Sequence, residues 1–257
     1  MDLGEGELDH HKKGKILSEL VAENLEITND PAIAKLLTYA KRDDEHGMGT
    51  ISTDQIDRTF GLSGLISSLN KTVKNSEKII EILFPILEAH YLEEKKRTTE
   101  LPLEFNQKLS EGKAELVELR HKGKKIKVVF LESDNISMAG WLKSSMGPKA
   151  DVVCQKISSG YVNILTKQSR MIDLRWSIAY LRKEEMIVAR NNYNFSVGDL
   201  MRPGKINEIP EWYYDRATNS MLNGSINPKG IMATSISFEK IKEILKESLQ
   251  RDIFKRI

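Results

Sequence analysis

At 257 residues the chain is long enough for one large domain or two modest ones, and its 40% hydrophobic and 30% charged residues are ordinary for a globular protein. A formal charge of +2, from 39 basic and 37 acidic residues, excludes a broad electrostatic grip on nucleic acid but leaves room for a local basic stripe. The single cysteine, Cys154, excludes an internal disulfide, and no apolar run approaches the roughly 20 residues of a membrane span, so a cytoplasmic protein with no membrane partner is expected.

In chain order, 15–28 places Ile16, Leu17, Leu20, Val21 and Leu25 at helical spacing. Asn29-Asp30-Pro31 predicts the start of a second helix, with Ile33, Leu36, Leu37 and Ala40 on one face, running into RDDEHGMG where the glycines stop it. Ser52 or Thr53 would cap a short helix ending near Phe60-Gly61. A longer helix is expected from Ser76 to about Lys96, kinked at Pro85. The polar stretch 98–113 then reads as a change of domain, with 99–113 the linker.

Strand signals begin beyond it. AELVEL and KIKVVFLES flank HKGKK, a hairpin signal, and DVVCQK and YVNILTK repeat the pattern around Ile157–Gly160. A helix is expected from Asp173 to about Glu185, a third strand pair from EWYYD and SMLNGS, and a last helix from Phe238. The second part therefore predicts an antiparallel sheet with helices on one side, an α+β layer.

Metal-binding groups concentrate at the start. His10, His11 and His46 fall in the first 46 residues with Asp2, Asp9, Asp43 and Asp44. Carboxylates and imidazoles without thiolates suit Mn²⁺, Mg²⁺, Fe²⁺ or Zn²⁺. Such an ion lowers the pKa of a bound water and neutralises charge on phosphoryl oxygens, as phosphoester hydrolysis requires. Asp43 and Asp44 continue the apolar face of their helix beyond Ala40, and an inward carboxylate is costly unless paired or metal-bound. The same residues also allow a blander reading: a solvated terminal stretch at Asp9-His10-His11 and an exposed helix end at Asp43-Asp44-Glu45. His90 and His121 read as surface histidines.

DLGEGELDHHKKG resembles the second and third motifs of the DHH phosphoesterase superfamily, and most of all the branch named for the melanocyte-proliferating gene. That branch carries Asp-Val-Gly-Gly and then Asp-His-His-Gln. RDDEHG is similar to its downstream Asp-Asn-Gly motif. The resemblance covers the first 50 residues and implies a two-manganese centre that hydrolyses phosphodiesters, with 3′–5′ RNA exonuclease activity in the named branch. It casts Asp2 as the bridging ligand, His10 as a metal ligand, and Asp43 or Asp44 as completing that metal's shell. Asp9 and His11 would orient ligands and the scissile phosphate. The superfamily's first motif has no counterpart in this sequence, nor has the glycine-rich signature of its common C-terminal domain. The expectation is therefore a chain that starts inside its catalytic domain, lacking about one βαβ unit of roughly 30–60 residues.

In the second part, the turn in ISSGYVNI offers Ser159 and Gly160 as a phosphate cradle or as a plain hairpin turn. Lys156, Lys167, Arg170, Arg175 and Arg182 would track a nucleic-acid backbone or simply be scattered surface charge. Trp212-Tyr213-Tyr214 would stack bases or fill a core. The reading as a whole is an α/β protein: residues 1–98 form a helix-rich, N-terminally incomplete, parallel-sheet DHH-type domain, and 114–257 a smaller α+β substrate domain. The expected reaction is attack of a Mn²⁺- or Mg²⁺-activated water on a phosphodiester of single-stranded or short nucleic acid, or on a nucleotide. The alternatives are a nucleotide- or nucleic-acid-binding protein with an incomplete, inactive metal site, and an interaction protein whose Asp-His-His is incidental. A homodimer is compatible with the sequence, which does not fix the oligomeric state.

Overall fold

The computed structural model describes residues 15–47, 49–223 and 230–251. The chain divides into two compact units, Met1–Glu100 and Leu101–Ile257. The regular elements described in the first unit are helical: α1 (Leu17–Asn24), α2 (Ala34–His46), α3 (Gln55–Phe60), α4 (Leu62–Thr72) and α5 (Ser76–Lys95), followed by a π turn at Lys96–Glu100. No strand stands among the described residues of this unit. No helix among the described residues is long and apolar enough to cross a membrane.

Local chemistry sets the helix ends. Asp30 Oδ1 accepts from Ala32 N at 2.8 Å, so Asn29-Asp30-Pro31 forms a turn and α2 starts only at Ala34. Gly47 closes α2 at φ 66°, a left-handed conformation that costs a residue without Cβ little. Asp54 caps α3 through Ile56 N at 2.8 Å, and Asn75 caps α5 through Lys78 N at 3.0 Å. Apolar burial is sparse, with Ile16, Leu20, Ala22, Ala32 and Ile79 the buried apolar side chains among the described residues. Polar ties supplement it: Lys35 pairs with the buried carboxylate of Glu94 at 2.7 Å, and Tyr91 donates to Asp30 at 2.9 Å.

The second unit opens with α6 (Leu101–Ser110), where the sequence suggested only a linker; Leu101 and Phe105 are buried and give this polar-looking stretch its inward face. Its seven-stranded sheet has the order β1-β2-β3-β4-β7-β6-β5. The strands are β1 (Ala114–His121), β2 (Lys124–Glu132), β3 (Val152–Lys156), β4 (Val162–Thr166), β5 (Gly204–Ile206), β6 (Ile209–Asp215) and β7 (Ser220–Asn223). Lys122 and Gly123, at φ 49° and 79°, close the β1/β2 hairpin in a two-residue turn whose twist suits the strands.

Two features depart from the antiparallel, one-sided layer expected. First, β2 and β3 run parallel, Val128 opposite Val152, through a crossover carrying α7 (Met138–Lys143); the other pairings are antiparallel. Second, helices cover both faces. Further along the chain come α8 (Arg175–Val188), α9 (Val197–Met201) and α10 (Phe238–Ser248). Ile178 and Leu181 of α8 and Ile241 and Leu245 of α10 cluster with Phe130, Cys154, Ile164 and Trp212. Side chains of α6 and α7 cluster instead with Val129, Leu131 and Val153. The cause was in plain view, since strands buried on both faces read as continuous apolar runs, and KVVFL and DVVC are such runs.

Among the described residues of this unit, Arg182 and Glu185 are two of the charged side chains that lie buried. Arg182, expected at a nucleic-acid surface, is fully buried, and its guanidinium donates to the carbonyls of Leu200, Arg202, Gly204 and Trp212 at 2.6–3.2 Å. Burial lowers its pKa to about 10, so it stays charged at neutral pH. One helical turn on, Glu185 accepts from Trp212 Nε1 at 2.9 Å and Ser235 N at 2.8 Å. Cys154 is buried, and burial pushes its thiol up, which leaves it inert.

Candidate functional site

The strand register sorts the cations expected to hold phosphates into two groups. Lys156 pairs with Val162 at one end of the β3/β4 hairpin, next to the turn carrying Ser159 and Gly160. Thr166 pairs with Val152 at the opposite end, about 13 Å away at the usual rise per strand residue. Lys167, Arg170 and Arg175 follow Thr166 there. The two groups are not brought together.

At the first end the turn is closed on its own chain. Ser158 N donates to Asp134 Oδ1 at 2.7 Å, a bond that holds the Asp134 carboxyl below its ordinary range. Gly160, at φ 89°, donates its amide to Ile157 O at 2.9 Å. Lys156 pairs with Glu132 at 3.1 Å. Ser159 is exposed.

The other end of the sheet is different. Two adjoining hollows of about 490 and 270 Å³ open there. Lys122, Asp173, Arg175, Tyr214 and Arg216 line the larger; His121, Lys122, Lys124 and Arg170 line the smaller. Five cations, against Asp173 and the Asp151 that pairs with Arg170, give these hollows a positive field on a nearly neutral chain.

The Asp173 carboxylate is fully engaged. Burial works to raise the Asp173 pKa, but Arg175 donates from Nε at 3.0 Å, Nη2 at 2.8 Å and its backbone amide at 3.1 Å, and Lys122 adds a bond at 3.0 Å. Together these hold Asp173 well below the usual carboxylate range. His121, expected on the surface, is buried beneath it. The Asp173 amide donates to Nε2 at 3.1 Å, so Nδ1 carries the proton and donates to Leu249 O at 2.7 Å, a carbonyl at the end of α10. Burial also raises the Tyr214 pKa, helped by the Asp173 charge.

The loop between β4 and α8 is clamped from both sides. Arg170 pairs with Asp151 at 2.8 Å and donates to Lys125 O at 2.9 Å. Asn219 Nδ2 donates to Ile172 O at 2.6 Å and Thr166 Oγ1 at 3.0 Å. Met171 stands at the tip, 84% exposed. Arg170 and Arg175 are thus braces as well as charges. By contrast, Lys124, Lys167 and Arg216 have no ion pair or side-chain hydrogen bond among the described residues, so they are free to meet a ligand.

Of the residues expected to bind metal or act in catalysis, Asp2, Asp9, His10 and His11 lie outside the described residues. Asp43 is half-buried on α2 and accepts from Ser63 Oγ at 2.5 Å; that hydroxyl also meets Tyr39 OH at 3.1 Å and the Gly49 amide at 3.3 Å. The Tyr39 ring lies so close over Gly49 that an added Cβ would sit 2.1 Å from it. Asp44 is exposed and borders an apolar hollow between α1 and α2, so the two carboxylates do not share one site. Among the described residues no group of three or more His, Cys, Asp or Glu is placed to hold a metal. Asp43 fits a ligand's chemistry, with one oxygen held by a hydroxyl, but it needs partners from outside those residues.

Trp212 and Tyr214 are core residues, and only Tyr213, at 42% exposure, faces solvent. Sequence reasoning overlooked Lys122, Lys124, His121 and Arg216. The HKGKK turn, already visible as a hairpin, was the available signal for three of them. Compared with family models, curated proteins and solved structures, the chain matches none.

Proposed function

We propose that the chain binds the phosphates of single-stranded or short nucleic acid, or of a nucleotide, and hydrolyses the phosphodiester with Mn²⁺ or Mg²⁺. The observation that carries the binding half is the basic end of the sheet, where Lys124, Lys167 and Arg216 stand unpaired among the described residues around a braced loop. No carboxylate among the described residues offsets these three, so their full charge is available to phosphate oxygens. The hydrolytic half rests on the resemblance of DLGEGELDHHKKG and RDDEHG to DHH motifs. A bound divalent ion would supply an activated water and charge neutralisation. Asp43, oriented by Ser63 and Tyr39, would be one of its ligands.

A second reading, binding without hydrolysis, rests on the basic end of the sheet alone, which needs no metal to hold phosphates. Incubation with labelled single-stranded RNA and DNA tests both. Cleavage should require Mn²⁺ or Mg²⁺, stop in chelator, and fall by most of its rate in Asp9→Ala and His10→Ala with the circular dichroism unchanged. Full activity in chelator or in either variant would overturn the hydrolytic proposal. Binding without cleavage in the wild type would leave the second reading.

A further inference from the structure

We infer that the larger hollow at the basic end of the sheet is a pocket for a phosphate monoester carried on a nucleotide, either free or at the end of a strand. The inference deepens the phosphate-binding reading above and rests on it. The hollow's volume of about 490 Å³ lies within the range of roughly 300–1,000 Å³ of small-ligand pockets. Its ionisable lining balances unevenly: Lys122, Arg175 and Arg216 against Asp173 leave two positive charges. A phosphate monoester carries about −1.5 to −2 at neutral pH, whereas a diester linkage carries one negative charge. The monoester is therefore the anion that matches.

The geometry divides the work. Asp173 takes the Nε and Nη2 donors of Arg175 and one proton of Lys122, which holds both cations in place and still leaves donors on each. Arg216 makes no side-chain hydrogen bond or ion pair among the described residues and is the third contact. Beyond the charges the wall combines Gln168 and Asn219 with an apolar strip of Met171, Met201 and Pro203, and Tyr214 lies nearly buried behind it. A flat base can rest on that apolar strip while its phosphate meets the cations, as packing on an apolar surface does not depend on base identity. The neighbouring smaller hollow has Lys124 and Arg170, with the His121 ring buried and engaged through both nitrogens, and suits the diester backbone of a following nucleotide.

The experiment compares one labelled single-stranded oligonucleotide with a 5′-phosphate, with a 3′-phosphate and with neither, by fluorescence anisotropy on the full chain. An unlabelled nucleoside monophosphate serves as competitor. Metal is omitted to prevent turnover. One terminal phosphate should tighten binding about tenfold or more. Arg216→Gln should bring the ratio of phosphorylated to unphosphorylated affinity close to one, whatever it does to the unphosphorylated strand. Lys124→Gln should weaken all three strands alike. Competition by the monophosphate against the phosphorylated strand alone identifies the same pocket; binding of the monophosphate with no strand bound assigns the pocket to a free nucleotide. Equal affinity for all three strands, or a terminal gain that survives Arg216→Gln, would overturn the inference and leave the broader reading standing. Absence of binding by any strand or by the monophosphate would overturn both.

Discussion

Individual side chains at the basic end act through what they hold. Asp173 accepts from Lys122 and Arg175, and its folded pKa lies below the ordinary value of 3.8. A depressed carboxylate contributes stability that is present above that ordinary value and is lost as pH falls through the lower, folded one. Asp173→Asn should therefore lower stability at neutral pH. Its unfolding free energy should also fall less than the wild type's between about pH 5 and pH 2, measured by urea unfolding across pH. Identical acid limbs would contradict this assignment. Arg182 makes the opposite case, a charge that serves the core. Replacement by Met strands four carbonyls, two of them buried, without their donor, at a cost of about 3–5 kcal/mol. The urea midpoint should drop accordingly, whereas a surface arginine would move it by no more than about 0.5 kcal/mol.

At the scale of elements, the turn after α2 depends on one missing side chain. Gly49→Ala would place a methyl 2.1 Å from the Tyr39 ring, whose hydroxyl is bonded to Ser63, which holds Asp43. The ring must move, costing about 1–3 kcal/mol. The same glycine substitution in a Tyr39→Ala background should cost clearly less, as a double-mutant cycle by thermal unfolding would show. Additive losses would mean that the ring and the glycine do not meet. How much of this was legible varies by element. The strands other than the three-residue β5, and the helices α8 and α10, announced themselves through periodicity and turn chemistry. Helix α6 did not, because only Leu101 and Phe105 turn inward from a polar stretch. The β2–α7–β3 crossover was hidden because MAGWLK is too short to show a helical period, and the hairpin signals on either side of it suggested an antiparallel sheet throughout. The basic site was half visible: Lys167, Arg170 and Arg175 were singled out, but Lys156, Ser159 and Gly160 were grouped with them. Sequence proximity cannot reveal that a hairpin's two ends lie a strand's length apart.

Over the whole molecule, a formal charge of +2 conceals a positive end on the second unit's sheet, because acidic residues elsewhere cancel it in the sum. Electrostatic binding depends on the local field, which salt screens over about 8–10 Å. The account's central claim is that this end, and not the opposite one, meets nucleic-acid phosphates. The most direct test is the affinity of a single-stranded oligonucleotide as a function of salt, for the wild type, for Lys124→Glu/Lys167→Glu/Arg216→Glu, and for Lys156→Glu. Each lost phosphate contact to a single strand reduces the log–log salt slope by about 0.7. The triple variant should therefore lose about 2 from the slope, and Lys156→Glu should keep the wild-type value. A wild-type affinity that does not respond to salt, or a slope that falls only in Lys156→Glu, would contradict the account.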